Sequence, residues 1–299
     1  MSQSSPPPSA IRRVPVGATV MEAYGTVLGR LGFVFKAAAL PFLLSIALAA
    51  LSVLAQRDWF LSFPLMVVGF VPYTLFGVAW HRLTLLGPGL GAPAVFPGWT
   101  RRHWRFLGYV LAVMLIVYAV LTAFGLFGSA LAGGRGGHPL PPVQALVLFA
   151  ALVAVLVGLP YLMMRLSFVF PAVAVDEAYG LAHSWAHTRG QGFRLLAVIF
   201  VTALPMVALI WAVGWILGVY VLPDPGIIAG QEGVPTERAL LDFFAQNAVS
   251  ILFAQFVLAA LSYVLMALVV SAISLAFRIA TGWVPAPAAP AGGAGPGGG

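Results

Sequence analysis

Asp176, His183 and His187 are the residues of this chain whose types and spacing come nearest to a reactive centre. Two imidazoles and a carboxylate can hold zinc and leave a fourth position open for water. Offsets of seven and eleven residues return to one face of a helix. The first offset, however, spans about 10 Å of helix rise, too far for one ion, and no HExxH frames the pair. The competing reading leaves two interfacial histidines and gives Asp176 to a helix terminus. No metal and no cofactor are expected. No paired acids and no nucleophile–base set stand near the end of an apolar run, so the chain reads as non-enzymatic.

Arg101, Arg102, Arg105, Arg189 and Arg194 offer a different chemistry. A guanidinium near an anionic membrane surface gains about 1 kcal/mol, so five of them could grip lipid headgroups. The same residues also serve as determinants of topology. Arg165 stands apart, enclosed by apolar residues in YLMMRLSFVFPAVAV.

These side chains must be positioned by membrane helices. The chain is 61% hydrophobic and 8% charged, with mean hydropathy +1.01, whereas soluble domains carry roughly 25% charged residues. Apolar runs of about 20 residues, the length that crosses a bilayer, recur along it. Strands of a barrel would alternate with period two, which 145–160 does not. The fold class is therefore all-α, a polytopic bundle of six transmembrane helices with interfacial elbow helices. Cysteine is absent, which excludes disulfides and thiolate metal sites. The first apolar stretch is not followed by a small-residue cleavage site, so no removable signal peptide is expected.

Six spans are drawn at 31–55, 59–81, 104–131, 143–164, 193–222 and 249–279. Trp59 and Trp80 bracket the second, about 32 Å apart on a helix, with both indoles at the interfaces they favour. With both termini inside, twelve of the fifteen Lys and Arg fall on the cytoplasmic side, leaving Arg57, Arg135 and Arg238 outside. The positive-inside rule sets that orientation. It also accounts for a pI near 10.2 without nucleic acid.

Arg165 then ends the fourth span at the inner boundary, where it avoids the roughly 3 kcal/mol of a mid-membrane charge. Its expected partner is Asp176, Glu177 or Glu22. Residues 166–175 are too short to cross again, and Pro171 argues for a buried boundary turn. Arg82 and Arg278 close the second and sixth spans in the same manner, and EAYG occurs at 22–25 and 177–180. Together these suggest three two-span units in parallel repeat.

One elbow helix is expected to start at a Thr19–Glu22 capping box, with Thr19, Glu22, Thr26 and Arg30 on its polar face. A second runs over 176–189, and a third amphipathic lead-in over 236–247. Gln255 is the clearest polar side chain within the last span, read as an interhelical hydrogen bond. The membrane domain covers 17–282, between tails at 1–16 and 283–299 whose composition cannot support a core.

From Arg165 the text RLSFVFPAVAVDEAYGLAHSWAHTRGQGFRLL resembles a broad family of bacterial six-helix membrane proteins. That family includes YciC-like proteins and the membrane domain fused to some glycerophosphodiester phosphodiesterases. Arg165, Ser167, Pro171, the acid at Asp176 or Glu177, Ser184-Trp185, Thr188-Arg189-Gly190 and Arg194 carry the likeness. The resemblance implies an inner-membrane location and no established activity. The phosphodiesterase catalytic domain is absent, and His183 and His187 lie outside the pattern. The expected function is a module that contacts anionic membrane lipid or a partner membrane protein. The alternative is a permease or channel for a small or lipidic solute.

Overall fold

The structure is a computed structural model that describes residues 12–55, 59–94, 98–132, 141–220 and 246–285. The tails beyond 12 and 285, most of the 236–247 lead-in, and Arg57, Arg135 and Arg238 lie outside the described residues. Among them there is no strand, and six stretches are long and apolar enough to span: Leu31–Ala49, Phe63–Gly91, Arg101–Leu131, Pro142–Ala174, Gly192–Tyr220 and Ala248–Thr281. In hydrocarbon a helix satisfies its own backbone, which is why such sequence adopts no other form here. The chain is a multi-pass, all-α membrane protein.

The order is α1 (Val16–Leu28), α2 (Leu31–Ala55), α3 (Trp59–Val68), α4 (Phe70–Gly91), α5 (Arg101–Ala132) and α6 (Pro142–Leu166). It continues with α7 (Val169–Ala174), α8 (Leu181–His187), α9 (Gly192–Tyr220) and α10 (Ala248–Thr281). The second span is thus two helices, split at Gly69. Pro72 is the cause, because it has no N–H for the Val68 carbonyl and its ring crowds that turn. At the third position of α4 the same proline costs nothing further.

Going round the bundle, α2 touches α4, α4 touches α5, then α6, α9 and α10 follow, and α10 returns to α2. α4 and α10 also meet directly and carry most of the core, with Phe76, Trp80, Leu83, Leu268, Leu275 and Phe277 almost wholly buried. α6 is peripheral: none of its residues before Arg165 is buried.

The first elbow differs from its expectation. α1 starts at Val16 behind Pro15, and Thr19 is fully buried with its hydroxyl donating to the Pro15 carbonyl at 2.7 Å. The buried stripe is Thr19, Val20, Ala23 and Val27, while Met21 and Leu28 are exposed. It settles on α9 and α10, where the Tyr24 hydroxyl donates to the Thr202 carbonyl at 2.8 Å in the turn before Pro205. Packing begins upstream of residue 17. Val14 is fully buried, its N–H donates to Gln191 Oε1 at 2.8 Å, and Gln191 Nε2 donates to the Arg12 carbonyl at 3.2 Å.

The stretch after Arg165 is a short helix rather than a turn. α7 buries Val169, Pro171, Ala172, Val173 and Ala174 against α4, α5 and α10. Pro171 sits in its first turn, where a missing N–H breaks no bond.

Candidate functional site at the charged end of the bundle

Every described acid and every described basic side chain that makes a side-chain contact meets at one end of the bundle. The C-terminal ends of α4, α6 and α10, the N-terminal ends of α5 and α9, and α1, α7 and α8 converge there. Among the described residues are twelve of the fifteen Lys and Arg but only three of the eight acids.

Arg165 is 6% exposed and its guanidinium meets no acid among the described residues. Nε donates to Thr188 Oγ1 at 3.0 Å, Nη1 to the Tyr161 hydroxyl at 3.1 Å and Nη2 to the Trp185 carbonyl at 2.6 Å. The Trp185 ring lies 4.0 Å from the guanidinium carbon. The expected pairing with Asp176, Glu177 or Glu22 is therefore replaced by neutral oxygens and an aromatic face. A delocalised, weakly hydrated guanidinium accepts such surroundings.

The motif residues around it interlock. The Ser184 hydroxyl donates to the Arg165 carbonyl at 2.9 Å and accepts the Phe168 N–H at 3.1 Å, filling the backbone gap where α6 breaks into α7. Orphaned backbone groups at a helix break require such partners. Ser184→Ala is expected to cost about 1–3 kcal/mol by leaving the Phe168 N–H buried and unpaired, while the Arg165 carbonyl keeps the Thr188 hydroxyl at 3.1 Å. A denaturant titration in detergent micelles checks it, with no loss counting against this role.

Asp176 is not the first residue of a helix. It has φ 64, and α8 begins only at Leu181. The left-handed turn aims its carboxylate at two arginines: Oδ2 lies 3.1 Å from Arg102 Nη2 and 3.7 Å from Arg82 Nη1. Arg82 Nη1 also donates to the Ala174 carbonyl at 3.1 Å, tying α4 to the end of α7. Arg105 Nη2 donates to the Glu177 carbonyl at 3.0 Å, and the Glu177 carboxylate accepts Trp283 Nε1 at 2.8 Å. Glu22 accepts Arg278 Nη2 at 2.7 Å. Each described acid is thus already engaged.

The five arginines proposed to face lipid divide in two. Arg102 and Arg105 hold α5 to the segment after α7, whereas Arg101, Arg189 and Arg194 are exposed and form no ion pair with the described residues. Asp176, His183 and His187 do not converge, and no group of three metal-ligating side chains occurs among the described residues. Both histidine rings instead pack on Tyr179, whose hydroxyl lies 3.1 Å from His187 Nδ1. Burial pushes the Tyr179 hydroxyl pKa up, so it stays neutral.

Sequence reasoning passed over a second polar set between α4 and α10. Trp80 Nε1 donates to Ser271 Oγ at 2.8 Å, and His81 Nδ1 lies 2.7 Å from Ser274 Oγ. The Ser274 proton is committed to the Val270 carbonyl at 2.8 Å, so His81 is the donor in that contact. Serine and histidine are nucleophile and base types, but both are buried here and neither lines a described cavity. The signal available was two serines three residues apart in an otherwise apolar span. Gln255 forms no hydrogen bond with the described residues. It is exposed on a groove of about 520 Å³ with Ser45, Tyr73 and Ser262.

No family model, no curated protein and no solved structure matches this chain.

Proposed function

We propose that this protein is a non-enzymatic module of the bacterial inner membrane, with the charged end and both termini in the cytoplasm. Its free guanidiniums hold anionic lipid headgroups. The observation that carries this reading is the surplus of cations. Arg101, Arg189 and Arg194 stand exposed at the bundle's end with every described acid already engaged elsewhere. Unneutralised arginines at a membrane surface attract anionic lipid, and their side is the cytoplasmic one under the positive-inside rule. Membership of the YciC-like group belongs to the same proposal and rests on the interlocked residues around Arg165.

A permease has less support. α7 packs on α4, α5 and α10 at the charged end, and two described grooves lie between α2 and α10.

The test replaces Arg101, Arg189 and Arg194 together by glutamine and counts phosphatidylglycerol retained through purification. At about 1 kcal/mol per charge, retention of loosely held anionic lipid should fall at least tenfold, and wild-type retention should fall with added salt. Unchanged retention sinks the lipid reading. An acidic membrane protein co-purifying only with wild type would put a protein partner in its place.

A further inference from the structure

α5 opens against its own electrostatics. Arg101, Arg102 and Arg105 sit in its first turns, where the helix macrodipole is already positive. One carboxylate, Asp176, answers both Arg102 and Arg82 through the same oxygen. That trio keeps a net charge of plus one.

Beside it lies a cavity of about 200 Å³. Gly87, at φ 73, turns the end of α4 back so that Gly91 rests on the Arg82 backbone, and Ala92 and Pro93 form one wall. Arg82, Thr100, Arg102 and His103 form the polar side. Guanidinium carries five N–H donors. The contacts formed with the described residues use Nη1 of Arg82 and Nη2 of Arg102, leaving the rest free for a ligand. His103 adds one more. Its Nδ1 accepts the Thr100 backbone N–H at 3.0 Å, so a neutral ring carries its proton on Nε2. Several donors and, among the described residues, no free acceptor carboxylate meet in one small cavity at the charged end of the bundle.

We propose that this cavity is a subsite for a single phosphoryl anion, with its oxygens on Arg82 and Arg102. It rests on the lipid-binding reading of the charged end and names the group recognised there. The net charge of plus one matches a phosphodiester monoanion. The volume suits a phosphate with a glycerol, being smaller than the roughly 300 Å³ at which drug-sized pockets begin. Arginine is the residue suited to phosphate, through its planar fork of donors.

The experiment uses the full chain, delipidated in neutral detergent, with native mass spectrometry as the readout. The probes are phosphatidylglycerol, diacylglycerol and glycerol 3-phosphate. Wild type should keep one phosphatidylglycerol and no diacylglycerol. Arg102→Gln should reduce that occupancy at least tenfold. Because this change also removes an ion pair, Ala92→Phe is the second variant. Ala92 is exposed at the cavity wall, and its replacement fills the space without substituting an arginine. It should lose the lipid while melting like wild type.

Displacement of the lipid by glycerol 3-phosphate would identify a soluble phosphate ester as the ligand, and failure to displace it would identify the lipid; the site stands in both cases. The triple Arg101, Arg189 and Arg194 variant should keep this one tightly held lipid, which separates the subsite from the looser rim. Equal retention by Ala92→Phe and wild type, or equal retention of diacylglycerol, overturns the proposal.

Discussion

Replacing Arg165 by glutamine is expected to remove about 3–5 kcal/mol of stability, among the largest single-residue losses in this protein. Three hydrogen bonds from a charged donor end on Thr188, Tyr161 and Trp185. Each such bond contributes about 1.5–3 kcal/mol, with a cation–π contact of up to about 2 kcal/mol when desolvated, and these are not additive. Arg165→Lys keeps the charge but loses the planar fork and the stacking on Trp185, so it should recover less than half. A cycle with Asp176→Asn discriminates further. The two side chains share no partner, so their effects should add to within about 0.5 kcal/mol. A coupling well above about 1 kcal/mol would mean that Arg165 and Asp176 do meet, which the geometry described above does not allow.

The same arginine shows what could be read from the chain and what could not. Its place at the end of a helix follows from counting residues against bilayer thickness, and α6 does end at Leu166, but the apolar stretch runs on through α7 to Ala174, so Arg165 does not end the span. The partner did not follow. Charge complementarity favours an acid, but Asp176 is itself left-handed, which no residue count reveals, and its carboxylate meets Arg102 and Arg82 instead. Spans were legible for a related reason: each is a property of a contiguous run of apolar letters. α1 was half legible. Helical spacing puts Val20, Met21, Val27 and Leu28 on one apolar face, of which Val20 and Val27 are buried but Met21 and Leu28 are exposed, and Thr19 is buried although a hydroxyl weighs as polar. A buried threonine closes its own hydrogen bond on the preceding turn, as this one does.

Repetition of letters misled in another way. The first EAYG lies inside α1 and the second in the turn between α7 and α8. Four shared residues therefore mark no shared structure. What the two glutamates have in common is their destination, the end of α10, through Arg278 and Trp283. The arginines closing the paired spans are likewise alike in place and unlike in contact. Arg278 takes a carboxylate, Arg82 a carboxylate and a carbonyl, and Arg165 neutral groups alone. Span pairs α2–α4, α5–α6 and α9–α10 each touch along the bundle.

The second large effect is expected at Gly91. A methyl group there would meet three backbone atoms of Arg82 and Leu83, none of which can swing aside as a side chain does. Gly91→Ala should cost about 1–3 kcal/mol through overpacking, or force the end of α4 to part from its own preceding turn. Gly87→Ala is the natural comparison. Its φ of 73 is strained for alanine by about 1–2 kcal/mol, yet nothing lies within 4 Å of the added carbon. The two variants should therefore differ in kind. Gly87→Ala should shift the melting temperature and leave the cavity beside Arg82 intact. Gly91→Ala should shift it and also lose the tightly held phosphatidylglycerol, because the displaced backbone is that of Arg82 itself. Melting curves and lipid counts on the same preparations decide it. A Gly91→Ala protein that melts like wild type and keeps its lipid would show that residue 91 does not rest on Arg82, and the cavity wall would have to be redrawn.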